Sequence, residues 1–123
     1  MATRQGTGVW TGRRTHKWTV SGVLNGDQSS LHSGSRLSDK TVQVLGTFGV
    51  GAVLSIEGSN DGGTTWNILN DTRGEGNPLT FNTAGGSDIR SINENPDLIR
   101  ANCTAGDGTT SLTVIIVSSS VAS

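Results

Sequence analysis

No tyrosine occurs among these 123 residues, cysteine is reduced to Cys103, and charged residues make up only 15% of the chain. A lone cysteine excludes an intramolecular disulfide and fits folding in a reducing cytoplasm. Histidine is limited to His16 and His32. Neither lies in a G-x-S-x-G elbow or a metal-ligand spacing, so acid–base, nucleophilic and metal chemistry lack their usual residues, and both are read as surface histidines. Long apolar runs are missing too. The opening MATRQGTGVW lacks the apolar core of a signal peptide, and VIIV at 114–117 falls far short of a bilayer span, so a soluble protein without a membrane partner is expected.

What the chain has in abundance is glycine, serine and threonine, 49 residues in all. These are poor helix formers and good turn formers, which favours short strands joined by tight turns. The length fits one domain with one modest core. A net charge of −1 hides an asymmetry: Arg4, Arg13, Arg14 and Lys17 precede the first acid, Asp27. Residues 1–16 show neither helical nor strand periodicity and are read as an extended basic N-terminal arm, with residues 17–123 as the folded domain.

Alternation begins after the arm. Trp18, Val20 and Leu24 predict a first strand near 17–24, and 25–39 reads as a loop with room for one short irregular strand. Val42, Val44, Gly46 and Phe48 share one face of 40–48, and Leu54 and Ile56 alternate through 52–58, with a Gly-Val-Gly turn between the two strands. Asn60-Asp61-Gly62-Gly63 predicts a β-hairpin over 54–69 whose inward face carries Leu54, Ile56, Trp66 and Ile68. Further strands are expected at 79–83, 88–94, 98–104 and 111–119. About eight short antiparallel strands without helical stripes predict an all-β domain, a single β-sandwich or jelly-roll-like barrel with the arm extended from it. The last strand is apolar on both faces, Leu112, Val114 and Ile116 on one and Ile115 and Val117 on the other, which predicts cover on both sides.

Several residues invite a functional reading. Asp61, Asp88 and Asp107 sit in no EF-hand or nonapeptide repeat and are read as turn-shaping residues rather than Ca²⁺ ligands. Cys103, on a face with Ile99 and Ala101, is read as a small buried hydrophobe. Trp18 and Trp66 are expected in the core. Trp10 has no core of its own and is expected to be exposed or docked in a partner, and with Arg4, Arg13 and Arg14 it forms the candidate partner-binding set. The charge density is too low for a nucleic-acid tail, so an arm that clamps a neighbouring subunit through arginine–carboxylate pairs accounts better for these residues.

The strings VQVLGTFGVGAVLSIEGSNDGGTTWNIL, LTFNTAG and NENPDLIRANCTAGDGTTSLTVIIV resemble small bacteriophage virion proteins of the head decoration or cement type. The resemblance spans about residues 42–117. It leaves out the arm and finds no match in NDTRGEGNP at 70–78. It implies a non-enzymatic structural protein on the virion capsid surface, made in the host bacterial cytoplasm. Such a protein binds the major capsid protein without cofactor or direct nucleic-acid contact and associates as a homotrimer. The alternative is a tail or baseplate β-sandwich that binds host-surface glycan.

Overall fold

The computed structural model describes residues 3–4, 6–12, 15–23, 28–29, 39–48, 52–71, 78–82, 88–94, 96–105 and 110–119. Eleven strands run in chain order among them. They are β1 (Thr3–Arg4), β2 (Thr7–Gly12), β3 (Thr15–Val23), β4 (Gln28–Ser29), β5 (Asp39–Thr47) and β6 (Val53–Ser59). The rest are β7 (Asn67–Ile68), β8 (Thr80–Asn82), β9 (Asp88–Ile92), β10 (Leu98–Ala105) and β11 (Ser111–Ser119). One sheet has the order β2-β3-β11-β5-β9 and is antiparallel throughout. The other has the order β1-β4-β10-β6-β7, with β8 beside β7 on β6 and a parallel β1–β4 pair at its edge. The protein is an all-β sandwich.

Period-two burial explains why these segments are strands. On β11, Leu112, Val114, Ile116 and Ser118 are buried while the residues between them are not. On β5 the same alternation buries Lys40, Val42 and Val44. These faces, with Trp18 and Val20 of β3, meet Leu54 and Ile56 of β6, Phe81 of β8 and Ile99, Ala101 and Cys103 of β10 in one core. Cys103 is buried, as its place on the apolar face of its strand implies. A single apolar layer between two pleated faces is the arrangement in which alternating strands remove most carbon from water.

Several sequence-based expectations change. The boundary between residues 16 and 17 falls inside β3, and residues 7–12 of the expected arm are a paired strand of the sheet, in register from Thr7 opposite Thr19 to Gly12 opposite Thr15. Apolar alternation misses such a strand because its exposed side chains bury little; the backbone ladder with β3 holds it. The strands on either side of the Gly-Val-Gly segment lie in different sheets, so the chain crosses the sandwich there. The hairpin over 54–69 is present, but its return strand is only two residues long and Ile68 pairs with Glu57, on the face away from the core. Ile68 is exposed as a result, and Leu69 takes the core position. The outer face of β11 is half-buried at Ile115 and Val117, which lie between Thr19 and Gln43 and between Lys17 and Thr41. Flanking side chains on a central strand supply this cover.

Residues 69–71 tie the two sheets together at one end. The Asn70 backbone amide and side-chain amide each donate to a different oxygen of Glu94 at 2.8 Å, and the Asn93 amide donates to the Asn70 carbonyl. Asp71 accepts two hydrogen bonds from Arg90 of β9 in an ion pair of 2.8 Å that is nearly withdrawn from solvent. Such a pair is costly to break on one side, because the surviving charge stays buried.

At the other end of the chain, Gly6 lies against the indole of the buried Trp18, where a β-carbon would overlap the ring. The segment before β3 therefore contributes to the body, and removing residues 1–16 takes away β2 as well as an arm. Gly6→Ala is expected to destabilise the protein by about 1–3 kcal/mol, the usual range for overpacking a filled site. Urea unfolding of the full chain measures it, and an unchanged midpoint would place Gly6 away from Trp18.

Candidate interaction site

The N-terminal edge of the five-stranded sheet is the first candidate. Across the β2–β3 ladder, Gly8 faces Trp18, Val9 faces Lys17 and Trp10 faces His16. Opposed residues of an antiparallel pair share a face, so Trp10 belongs to the inward side at the rim of the sandwich and Val9 to the outer side. Trp10 is 58% exposed and Val9 54%. The indole meets the His16 ring edge-on, with centroids 4.9 Å apart and planes at 64°. Trp10 thus roofs a buried histidine while most of its own surface stays in water.

His16 is buried rather than on the surface. It begins a row of side chains across the inner face of the sheet: His16 opposes Ser118, Ser118 opposes Lys40, and Lys40 opposes Ile92. All four are buried. Burial pushes the Lys40 ammonium below the usual lysine range, partly opposed by the charge of Asp39. Strand parity holds the signal for this row, since His16 continues the Trp18–Val20 face and Lys40 the Val42–Val44 face. Reading polar residues as surface by type hides it.

Arg4 lies in β1 of the six-stranded sheet and Trp10 in β2 of the five-stranded sheet, while Arg13 and Arg14 lie outside the described residues. Trp10 is exposed.

A second candidate is an open cleft of about 500 Å³ beside the 60–66 turn, lined by Gly58, Ser59, Asn60, Asp61, Thr65, Asn67, Leu69, Glu94 and Pro96. Its wall is a folded loop. The Ser59 hydroxyl donates to Asp61 Oδ1 at 2.7 Å and accepts from the Gly63 amide at 3.0 Å; Asp61 Oδ1 also accepts from the Thr65 amide at 2.9 Å. Gly62 and Gly63 supply the positive φ the turn requires, 76° and 90°. Asn60 Oδ1 accepts from the Asp97 amide at 2.7 Å, which fixes the loop to the chain leading into β10. At the floor, a β-carbon on Gly58 would come within 2.6 Å of Pro96 and 2.7 Å of Leu69, so only glycine fits.

Trp66 is half-buried on the outer side of this loop rather than in the core. Its indole N–H donates to the Gly63 carbonyl at 3.0 Å, and the Arg100 guanidinium lies 4.3 Å from the ring centroid while pairing with Glu57 at 2.8 Å. The loop thus uses Trp66 as a clasp between the turn and the outer face of β10. Among the described residues, no three His, Cys, Asp or Glu side chains converge as metal ligands would. Asp61 and Asp88 both act on neighbouring backbone amides, Asp88 on that of Ile89 at 2.9 Å, and Asp107 lies outside the described residues.

No protein-family model matches the chain, and no curated protein matches it.

The backbone amide of Thr65, then the Ser59 hydroxyl, hold the Asp61 carboxyl at about 2, below its ordinary value. Since the folded state lowers this pKa, the contribution to stability is complete above the ordinary carboxylate range and is lost as the pH falls through about 2. The Thr65 amide resonance should titrate with that midpoint, and the step should vanish in Asp61→Asn. Trp66→Ala is expected to cost about 1–2 kcal/mol in denaturant unfolding, the sum of one exposed cation–π contact and one hydrogen bond, and less than the ~3–5 kcal/mol of a fully buried aromatic.

Proposed function

We propose that this chain is a bacteriophage capsid decoration protein that binds the major capsid protein and stabilises the assembled head. The observation that carries the reading is the N-terminal edge, where an exposed Trp10 and Val9 stand on a strand bordered in sequence by Arg4, Arg13 and Arg14. Aromatic and arginine residues are the side chains that most often dominate interfaces, and an edge strand offers unpaired backbone groups beside them. The sandwich supplies a rigid platform, and the resemblance of residues 42–117 to virion proteins supplies the setting. Binding stabilises a shell by mass action, because the bound state exists only on the assembled lattice. Trp10 docks in a neighbouring subunit on the particle, and the arginines pair with carboxylates of the shell.

The polar lining of the cleft favours a second reading, a tail or baseplate module that holds host-surface glycan through Asn60, Asp61, Asn67 and Glu94. Saturable binding of a host glycan by the isolated chain, lost in Asn67→Ala, would select it.

The capsid reading is tested by adding the full chain, or a variant with Arg4, Arg13 and Arg14 all changed to serine, to purified phage shells that lack the protein. At limiting concentration the variant should occupy fewer sites, and its binding should lose most of its salt dependence, because screened arginine–carboxylate attraction is what the substitutions remove. Equal occupancy at every salt concentration would exclude the arginines as shell contacts.

A further inference from the structure

Among the described residues, four large apolar side chains are exposed: Val9, Trp10, Ile68 and Ile89. All four lie on strands at the edges of sheets, Val9 and Trp10 on β2, Ile68 on β7 and Ile89 on β9. Exposed edges invite pairing with another chain, and monomeric proteins blunt them with short strands, charges, prolines or local caps. Three of the four edges are blunted in these ways. Strands β1 and β7 have two residues each. On β9, the carboxylate of Asp88 takes up the amide of Ile89, and Asp71 bridges the strand at Ile92.

β2 is the exception. It runs for six residues, Thr-Gly-Val-Trp-Thr-Gly, without a charge or a proline, and its one register shift falls at the end, between Trp10 and Gly12. Among the described residues it pairs only with β3.

We propose that β2 pairs antiparallel with β2 of a second copy of this chain, across a two-fold axis at Val9. The occupant follows from the segment itself, which is self-complementary in that register. Val9 faces Val9, and Gly8 faces Trp10 of the other copy. β-Branched pairs are favourable cross-strand neighbours, and an aromatic ring laid over a glycine covers the gap that glycine leaves in an edge strand. A two-fold axis normal to the sheet keeps the outer faces together only if odd positions oppose odd positions, and pairing about Val9 meets that condition while setting Gly8 opposite Trp10, ahead of the register shift between Trp10 and Gly12. The two five-stranded sheets then form one continuous sheet.

Charge and area set the strength. The paired segment is uncharged, and the two copies of the exposed Lys17, each opposite Val9, lie three strand spacings apart, roughly 14 Å. That exceeds the screening length of about 8 Å at physiological salt, so their repulsion is weak and falls further as salt is added. The seam covers on the order of 100 Å² of each indole together with Val9, well below the ~1,200 Å² or more of stable interfaces. The contact is therefore a weak, concentration-dependent dimer, which gives Trp10 a second copy of the chain as its neighbour and replaces the implied trimer by a pairwise seam.

The test uses the isolated full chain, so its outcome is separate from that of shell binding. Sedimentation over a wide concentration range should show a monomer–dimer equilibrium that salt leaves unchanged or strengthens, the opposite of the response expected for arginine attachment to a shell. Val9→Lys, at an exposed position, should weaken the dimer at least tenfold while leaving the circular dichroism spectrum unaltered. Val9→Cys should form a disulfide-linked dimer under mild oxidation much faster than Lys17→Cys. A monomer at all concentrations, a trimer, or equal cross-linking of the two cysteine variants would overturn the proposal.

Discussion

Burial of the inner face of β11 is the interaction on which the rest of the structure depends. Leu112, Val114 and Ile116 are fully withdrawn from water, and the strand that carries them is the centre of its sheet, paired with β3 on one side and β5 on the other. Both edge strands, β2 and β9, hang from those two neighbours and not from β11 itself. A loss on β11 is felt at both edges, while a loss at an edge leaves the centre intact. The opposite sheet repeats the pattern with less symmetry, β6 and β10 forming its centre and short strands its borders.

Much of this was legible in the sequence where apolar alternation is long. The strands expected at 40–48, 52–58, 98–104 and 111–119 correspond to β5, β6, β10 and β11, because each has a buried face to announce it; the one expected at 88–94 corresponds to β9, which buries only Ile92. The all-β class followed from those segments and from the scarcity of helix formers. What stayed hidden was held by backbone bonds alone. Thr7–Gly12 shows no apolar period, its residues from Thr7 to Trp10 being exposed, and β1, β4 and β7 are too short to have a period. Sheet membership was equally hidden, since the alternation of β5 and β6 is the same whether they pair with each other or face each other across the core.

The candidate sites divide along the same line. Exposure of Trp10 and the turn-shaping role of Asp61 could be read from local chemistry. The inward row of His16, Ser118 and Lys40 could not be read from residue type, because strand parity rather than polarity decides which way a side chain points. Trp66 shows the converse. Size and hydrophobicity suggested the core, but the 60–66 loop carries it past the end of β6 and onto the outer face, where Arg100 and the Gly63 carbonyl give its ring and its N–H separate partners.

The position of β11 has a consequence for how the chain is made. It follows every other strand in chain order, yet it must lie between β3 and β5, whose residues were synthesised long before it. Until it arrives, those two strands have apolar faces and no shared neighbour, so the five-stranded sheet cannot close during translation. Folding must wait for the end of the domain and then form contacts between residues about as far apart as Thr15 and Ser119. Such long-range pairing is slow and leaves the nascent strands open to wrong partners in the interval. Cells that make many copies at once would therefore meet the hazard of aggregation before the five-stranded sheet has closed, and a short truncation at the C-terminal strand would harm yield far more than its length suggests.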